Sequence, residues 1–459
     1  MNPFRICAFI AAVFIALAAL CAFFPEDGIS VGGVNLEFPT LSEVLSGGEE
    51  VSTVDPQEEM RREMESIENA RRNEYMEYFR SNPARLQFPG DDYSLLDGFF
   101  AALDNASSRA VRVVHYGDSQ IEADRVTHSF RAGLQKRFGG GGPGLMPVFN
   151  GYYTYSAAVS VSAELERHMV FGPAEMRGNS GQYGPMAWSS ALDTTVFASI
   201  YSIKNNKTSS RYFNRLTVFA ANTAGSVSVR YGKDSRQMKT SGPDDMAVET
   251  FVLRDSSVKA GLSLSGNADL FGVSLHTDTG VTVDNVPMRG CSGTVFTKIK
   301  ASHLRKYYDY TNTRLIILEY GGNSVPYMKT EKQVSEYKGY IEKQIAYLRK
   351  LAPSASVVFI GPSDMATTVN GRRQTYPNLP MVLDSLRAAA LSSGAVYWDL
   401  YSAMGGEGSM IRWVKSQPPL AGSDYVHFTS AGADLMGEMF YKTLMVYYDY
   451  YKWRREERR

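Results

Sequence analysis

Four short runs of β-branched and aromatic residues, three of them halting at a glycine, constrain this chain more than any other feature. They are Val111–His115 leading to Gly117, Arg314–Tyr320 leading to Gly321, Ser356–Ile360 leading to Gly361, and Ala395–Leu400. Runs this short and apolar read as strands buried inside a sheet. Between them, residues 122–138, 330–351 and 379–393 carry helical spacing. Strand and helix in alternation predict an α/β domain, a parallel sheet with helices on both faces.

Residues 151–280 break the pattern. Ser226–Tyr231, Met246–Leu253 and Asp269–Leu275 alternate apolar with polar side chains between Gly, Asn and Asp turns. That predicts an antiparallel β-sandwich inserted between the first helix and the second strand. The α/β domain is then split into residues 110–150 and 281–447. At the N-terminus, Ile6–Phe24 runs without a charge, so residues 1–24 read as a signal anchor or a signal peptide. Either exports the remainder of the chain. Residues 25–56, rich in Gly, Pro, Ser and acidic side chains, suit a flexible tether. Met60, Met64, Ile67, Tyr75 and Tyr78 then predict an amphipathic helix that opens a helical lead-in over 57–109. Residues 448–459 read as a charged, solvated tail.

Composition removes several function classes. The 459 residues exceed one ordinary core, and 48 basic side chains cancel 48 acidic ones. No global field favours nucleic acid, which is not expected as a partner. Cys7, Cys21 and Cys291 form no disulfide framework, and Cys and His are too scattered for a structural zinc site. Gly139–Gly144 lacks the Gly-Lys-Ser/Thr of a phosphate loop and reads as a flexible loop near the substrate.

Chemistry concentrates at the strand ends. His115–Gln120 places Gly117-Asp118-Ser119 on a strand-to-helix turn, where open α/β sheets bind ligands and helix amides favour negative charge. A serine hydroxyl attacks a carbonyl only when a histidine can take its proton and an acid holds that imidazole's tautomer. Asp424 and His427, three residues apart on one turn, can supply both. Acyl transfer also needs donors where the oxyanion forms. Asn323, in Tyr320–Ser324, and a glycine of Arg289–Thr294 are the candidates, with Gly290 and Gly293 both available.

Taken in this order, these segments resemble the four blocks of the SGNH/GDSL hydrolase superfamily. The resemblance implies a flavodoxin-like sheet and a serine hydrolase that needs neither metal nor other cofactor. Position by position it implies Ser119 as nucleophile, His427 as base, Asp424 as its acid, and Ser119, Gly293 and Asn323 as oxyanion donors. Gln120, Gly322 and Tyr425 would flank the substrate. Ser324 stands where the third block commonly has Asp, so one supporting carboxylate is missing. The inserted β-module is similar to the arrangement in peptidoglycan O-acetylesterases.

The activity so implied is removal of O-acetyl groups from a cell-envelope glycan, with the protein held to the membrane by its N-terminal helix. Transfer of the same acetyl to a polysaccharide hydroxyl, or glycan binding on an inactive scaffold, are the alternatives. Tyr152, Tyr153, Tyr155, Tyr183 and Trp188 are candidate sugar-stacking residues. Because every block lies outside 151–280, the insertion is expected to be separable from the acyl chemistry. Oligomeric state is not legible in the sequence.

Overall fold

A computed structural model describes the whole chain except residues 1–2, 26–27, 32–33, 37, 42–43, 45–55, 205–209, 225 and 458–459. It comprises two compact units, residues 1–74 and 75–459.

In the first unit, Pro3–Phe23 is one helix whose Phe4–Phe23 stretch is long and apolar enough to cross a bilayer. A small hairpin pairs Ile29–Val31 with Val34–Leu36. Much of the predicted tether, 25–56, lies outside the described residues. A helix spans Pro56–Ser81, where the helical spacing predicts one.

The second unit is built on a mixed sheet. Its parallel strands are β1 (Val111–Gly117), β2 (Val281–Pro287), β3 (Thr313–Glu319), β4 (Ser356–Ile360) and β5 (Val396–Trp398). They lie in the order β2-β1-β3-β4-β5, with Leu86–Gln87 antiparallel along the β5 edge. This is the flavodoxin-like order, and the crevice at its switch point opens beyond the carboxyl end of β1. Alternation along the strands sorts the cores. Val114, Tyr116, Ile316, Leu318 and Phe359 pack under helices Ala301–Tyr310, Glu331–Leu351 and Leu379–Ser392. Val113, Leu315, Ile317, Val358 and Ile360 face helices Thr127–Phe138 and Ser430–Glu457.

Several segments differ from the sequence expectations. The lead-in contains an edge strand as well as helices, because Trp398 Nε1–H donates to Ala84 O (2.8 Å) and Tyr447 O–H to Leu86 O (2.9 Å). The run 122–138 is not one helix: a 3₁₀ turn, Ser119–Asp124, ends with Ala123 and Asp124 at positive φ before the α-helix begins. The solvated tail is instead the end of the last helix. Trp453 is buried there, Arg454 pairs with Asp97 (2.6 Å) and Arg455 with Asp104 (3.2 Å).

The antiparallel sheets form around a shared apolar core. One has the strand order Asp234–Met238, Val227–Tyr231, Lys259–Ser265, Val196–Ser202, Ala157–Val161, Tyr152–Tyr153. The other is ordered Met246–Ser257, Phe213–Ala221, Ala268–His276, Trp188–Leu192, Arg167–Met169, and Gly144–Met146 also joins Ala268–His276. Val159, Ala198, Ile200 and Leu262 from the first meet Leu216, Val218, Ala220 and Val273 from the second.

The glycine run before the insertion is a close crossing of backbones rather than a flexible loop. A Cβ on Gly140 would sit 2.3 Å from Val281 O, and one on Gly142 would sit 2.3 Å from Leu275 O. No side chain fits there. Beside it, buried Asp284 accepts from Arg112 Nη1 (2.7 Å) and from the amide of Leu145 (2.8 Å), tying the strand Gly144–Met146, just before the insertion, to β1 and β2.

Candidate active site

The candidate site grows from the end of β1. Gly117 is closely packed, since a Cβ there would meet the Ile121 side chain at 3.0 Å and Glu319 O at 3.3 Å. Asp118 caps the following turn by accepting from Gln120 N–H at 2.9 Å. Ser119 therefore stands at the first position of the turn, at the crevice.

From the far end of the chain, the loop before the last helix brings Asp424 and His427. Asp424 Oδ1 accepts the amides of Val426 (3.0 Å) and His427 (3.1 Å), and its Oδ2 receives His427 Nδ1–H at 2.7 Å. His427 Nε2 is then left to accept the Ser119 hydroxyl at 2.8 Å. Burial alone would raise the Asp424 carboxyl, but those three donors outweigh it and hold it below the usual carboxylate range. An ionised Asp424 fixes the proton on Nδ1, the tautomer in which Nε2 can accept. Ser119 and His427, 308 positions apart, are thus joined with Asp424 in one hydrogen-bonded chain.

The chain opens on a cavity of about 590 Å³ whose wall includes Gln120, Arg125, Gly290, Gly322, Asn323 and Tyr327. Asn323 Nδ2 donates to Asp118 Oδ2 (2.9 Å) and to Cys291 O (3.2 Å). Burial, with Glu319 nearby, pushes Asp118 up to about 7. Asp118 is therefore a carboxyl behind Asn323, the kind of support that Ser324 does not supply. Burial also pushes the Cys291 thiol up to about 11, so it is neutral near pH 7.

Several residues sit differently from expectation. Of the two glycines, Gly290 is on the cavity wall, whereas Gly293 is buried with its N–H directed to Cys291 Sγ at 3.3 Å. The Tyr425 ring lies against the Arg373 guanidinium, 4.2 Å from its centroid, and the residue's backbone has φ of 60°. It shapes the His427 loop instead of flanking the cavity. Gln120 is committed to that loop too, donating from Nε2 to Val426 O (2.7 Å) and accepting Phe428 N–H at Oε1 (3.3 Å). Gly322 does line the cavity. Among the candidate stacking aromatics, Tyr183 is buried and Trp188 packs against Phe149 and Arg167, while Tyr153 is exposed.

Sequence reasoning missed the bracing of the turn. Asp124 is bound by Arg131 through Nη1 (2.6 Å) and Nη2 (3.0 Å), and by the Ser156 hydroxyl. Tyr155 N–H donates to Ala123 O (3.0 Å), and its phenol bonds the Ser430 hydroxyl at the start of the last helix. Segment 154–156 thereby holds both the Ser119 turn and the helix behind His427. The pairing of Asp124 with Arg131 seven residues on was the only sequence signal available.

A GDSL-like lipase/acylhydrolase family model matches residues 256–435. The match takes in Asn323, Asp424 and His427, and begins after Ser119, whose strand the insertion separates from the rest. Among solved structures, a peptidoglycan O-acetylesterase aligns over 79% of this chain and 99% of its own, with TM-score 0.64 at 19% identity. A family two carbohydrate esterase from Cellvibrio japonicus aligns over 64% of this chain and 98% of its own, at TM-score 0.26 and 12% identity. No curated protein matches the sequence. The family match over residues 256–435 and the fold support a serine hydrolase of the SGNH/GDSL type, similar in fold to a peptidoglycan O-acetylesterase.

Proposed function

We propose that this protein is an extracytoplasmic esterase that removes O-acetyl groups from a cell-envelope glycan. The observation that carries the reading is the Ser119–His427–Asp424 hydrogen-bonded chain at an open cavity far larger than an acetyl group. The apolar helix Phe4–Phe23, which would export and hold the catalytic part, supports the location.

In the proposed reaction His427 Nε2 takes the hydroxyl proton while Ser119 Oγ bonds to the acetyl carbon. The carbonyl oxygen becomes an oxyanion facing the amides of Ser119 and Gly290 and the Asn323 side chain. Gly290 replaces Gly293 here because it is the glycine on the cavity wall. Asn323 would exchange its longer bond, to Cys291 O, for the oxyanion, keeping its bond to Asp118. Collapse breaks the ester bond, and the proton on Nε2 passes to the departing sugar oxygen. Water then gives its proton to Nε2 and its oxygen to the acyl carbon, and acetate leaves as Ser119 recovers its proton. The His427 and Asp424 side chains are 36% and 51% exposed, so water has access for this second step.

The test is release of acetate from O-acetylated peptidoglycan by the full chain. Ser119→Ala should lose on the order of 10⁶ in turnover and melt like the wild type. Substantial release by the folded variant would remove Ser119 from the reaction.

A further inference from the structure

One side chain on the cavity wall is used by none of the steps above. Tyr327 ends the turn Gly322–Tyr327 that also carries Asn323, and it is 73% exposed. Among the described residues no hydrogen bond, ion or other ring engages it. The turn beneath it is nonetheless fixed. Asn378 Nδ2 donates to Val325 O (2.5 Å) and to Met328 O (2.7 Å), and Met328 N–H returns to Ser324 O (3.1 Å). A large exposed ring carried on a fixed backbone turn is a surface available for contact, and a tyrosine side chain has few rotatable bonds to lose when something packs on it. Arg289 and Glu122 also line the cavity, as an exposed, loosely paired couple 3.5 Å apart. They offer donors and an acceptor that exchange solvent for ligand at small cost.

From this juxtaposition the geometry points to a sugar subsite in which the apolar face of a pyranose ring stacks on Tyr327 and its polar groups meet Arg289 and Glu122. A flat aromatic sharing one cavity with exposed charged hydrogen-bonding groups suits a ring with one C–H face and a polar edge. An acyl chain would leave the charged couple without a partner. The inference rests on the glycan esterase reading and names where that glycan is gripped. Tyr327 is then a binding residue next to the oxyanion donor Asn323, which couples placement of the sugar to placement of its ester.

The experiment compares Tyr327→Ala and Tyr327→Phe in the full chain, with kcat and KM on O-acetylated peptidoglycan and on an aryl acetate. Tyr327→Ala should raise KM for peptidoglycan about tenfold or more and lower the peptidoglycan-to-aryl acetate efficiency ratio by a like factor. Tyr327→Phe, which keeps the ring, should stay within about twofold of wild type. The subsite is overturned if Tyr327→Ala leaves that ratio unchanged, or if Tyr327→Phe loses as much as the alanine variant. Wild-type protein that cleaves the aryl acetate but frees no acetate from peptidoglycan would instead overturn the underlying reading together with the subsite.

Discussion

Asp118 has two duties that pull in opposite directions. Its carboxyl caps the turn that presents Ser119 and receives the Asn323 amide, both of which favour the ionised form. Burial opposes this more strongly, and the group titrates at about 7. An acid whose pKa is raised by folding holds its proton in the folded state over a window in which the unfolded chain has lost it. Its contribution to stability is therefore full below about pH 4, declines as pH rises to about 7, and is level above that. The decline is about 4 kcal/mol for a shift of this size. Denaturation of wild type and Asp118→Asn from pH 4 to 8 should show the stability difference shifting toward the variant as pH rises. A difference independent of pH would mean that Asp118 is ionised throughout. Gly290 and Gly293 show where reading by residue stops. Both have φ of 76° and both lie in one six-residue segment, yet only the folded chain reveals which reaches the cavity.

Among elements, strands and turns that encode themselves locally were the legible ones. Four of the five parallel strands announce themselves by apolar runs, and Asp424 with His427 occupies a single turn. The Ser119 turn was legible as a strand-to-helix turn and no further. Its non-helical end at Ala123 and Asp124 depends on Arg131, Tyr155 and Ser156, partners that local propensity does not encode. Those bonds also correct the expectation that the insertion is separable. Segment 154–156 braces the Ser119 turn through Ser156 and Tyr155, so excising 151–280 removes supports of the site. Tyr155→Phe deletes only the bond to Ser430. It should cost about 1 kcal/mol of stability and lower kcat about tenfold with KM little changed, through the geometry between Ser119 and His427. Unchanged kcat would show that the last helix holds His427 without this strut.

At the scale of the whole molecule, the strand order β2-β1-β3-β4-β5 places the crevice where the first and last blocks of the sequence can meet. The antiparallel sheets enter between β1 and β2 without disturbing that order, because a glycine run lets backbones cross at the junction. The last helix was misjudged at its end because its basic residues find Asp97 and Asp104, far away in sequence, as partners. Every step proposed for the site requires Ser119 to carry the acyl group. Rapid acid quenching during turnover of O-acetylated peptidoglycan, followed by mass analysis of the proteolysed chain, should find one acetyl group on the peptide containing Ser119 and on none from Ser119→Ala. Turnover by the wild type with no acetyl at Ser119 would contradict it.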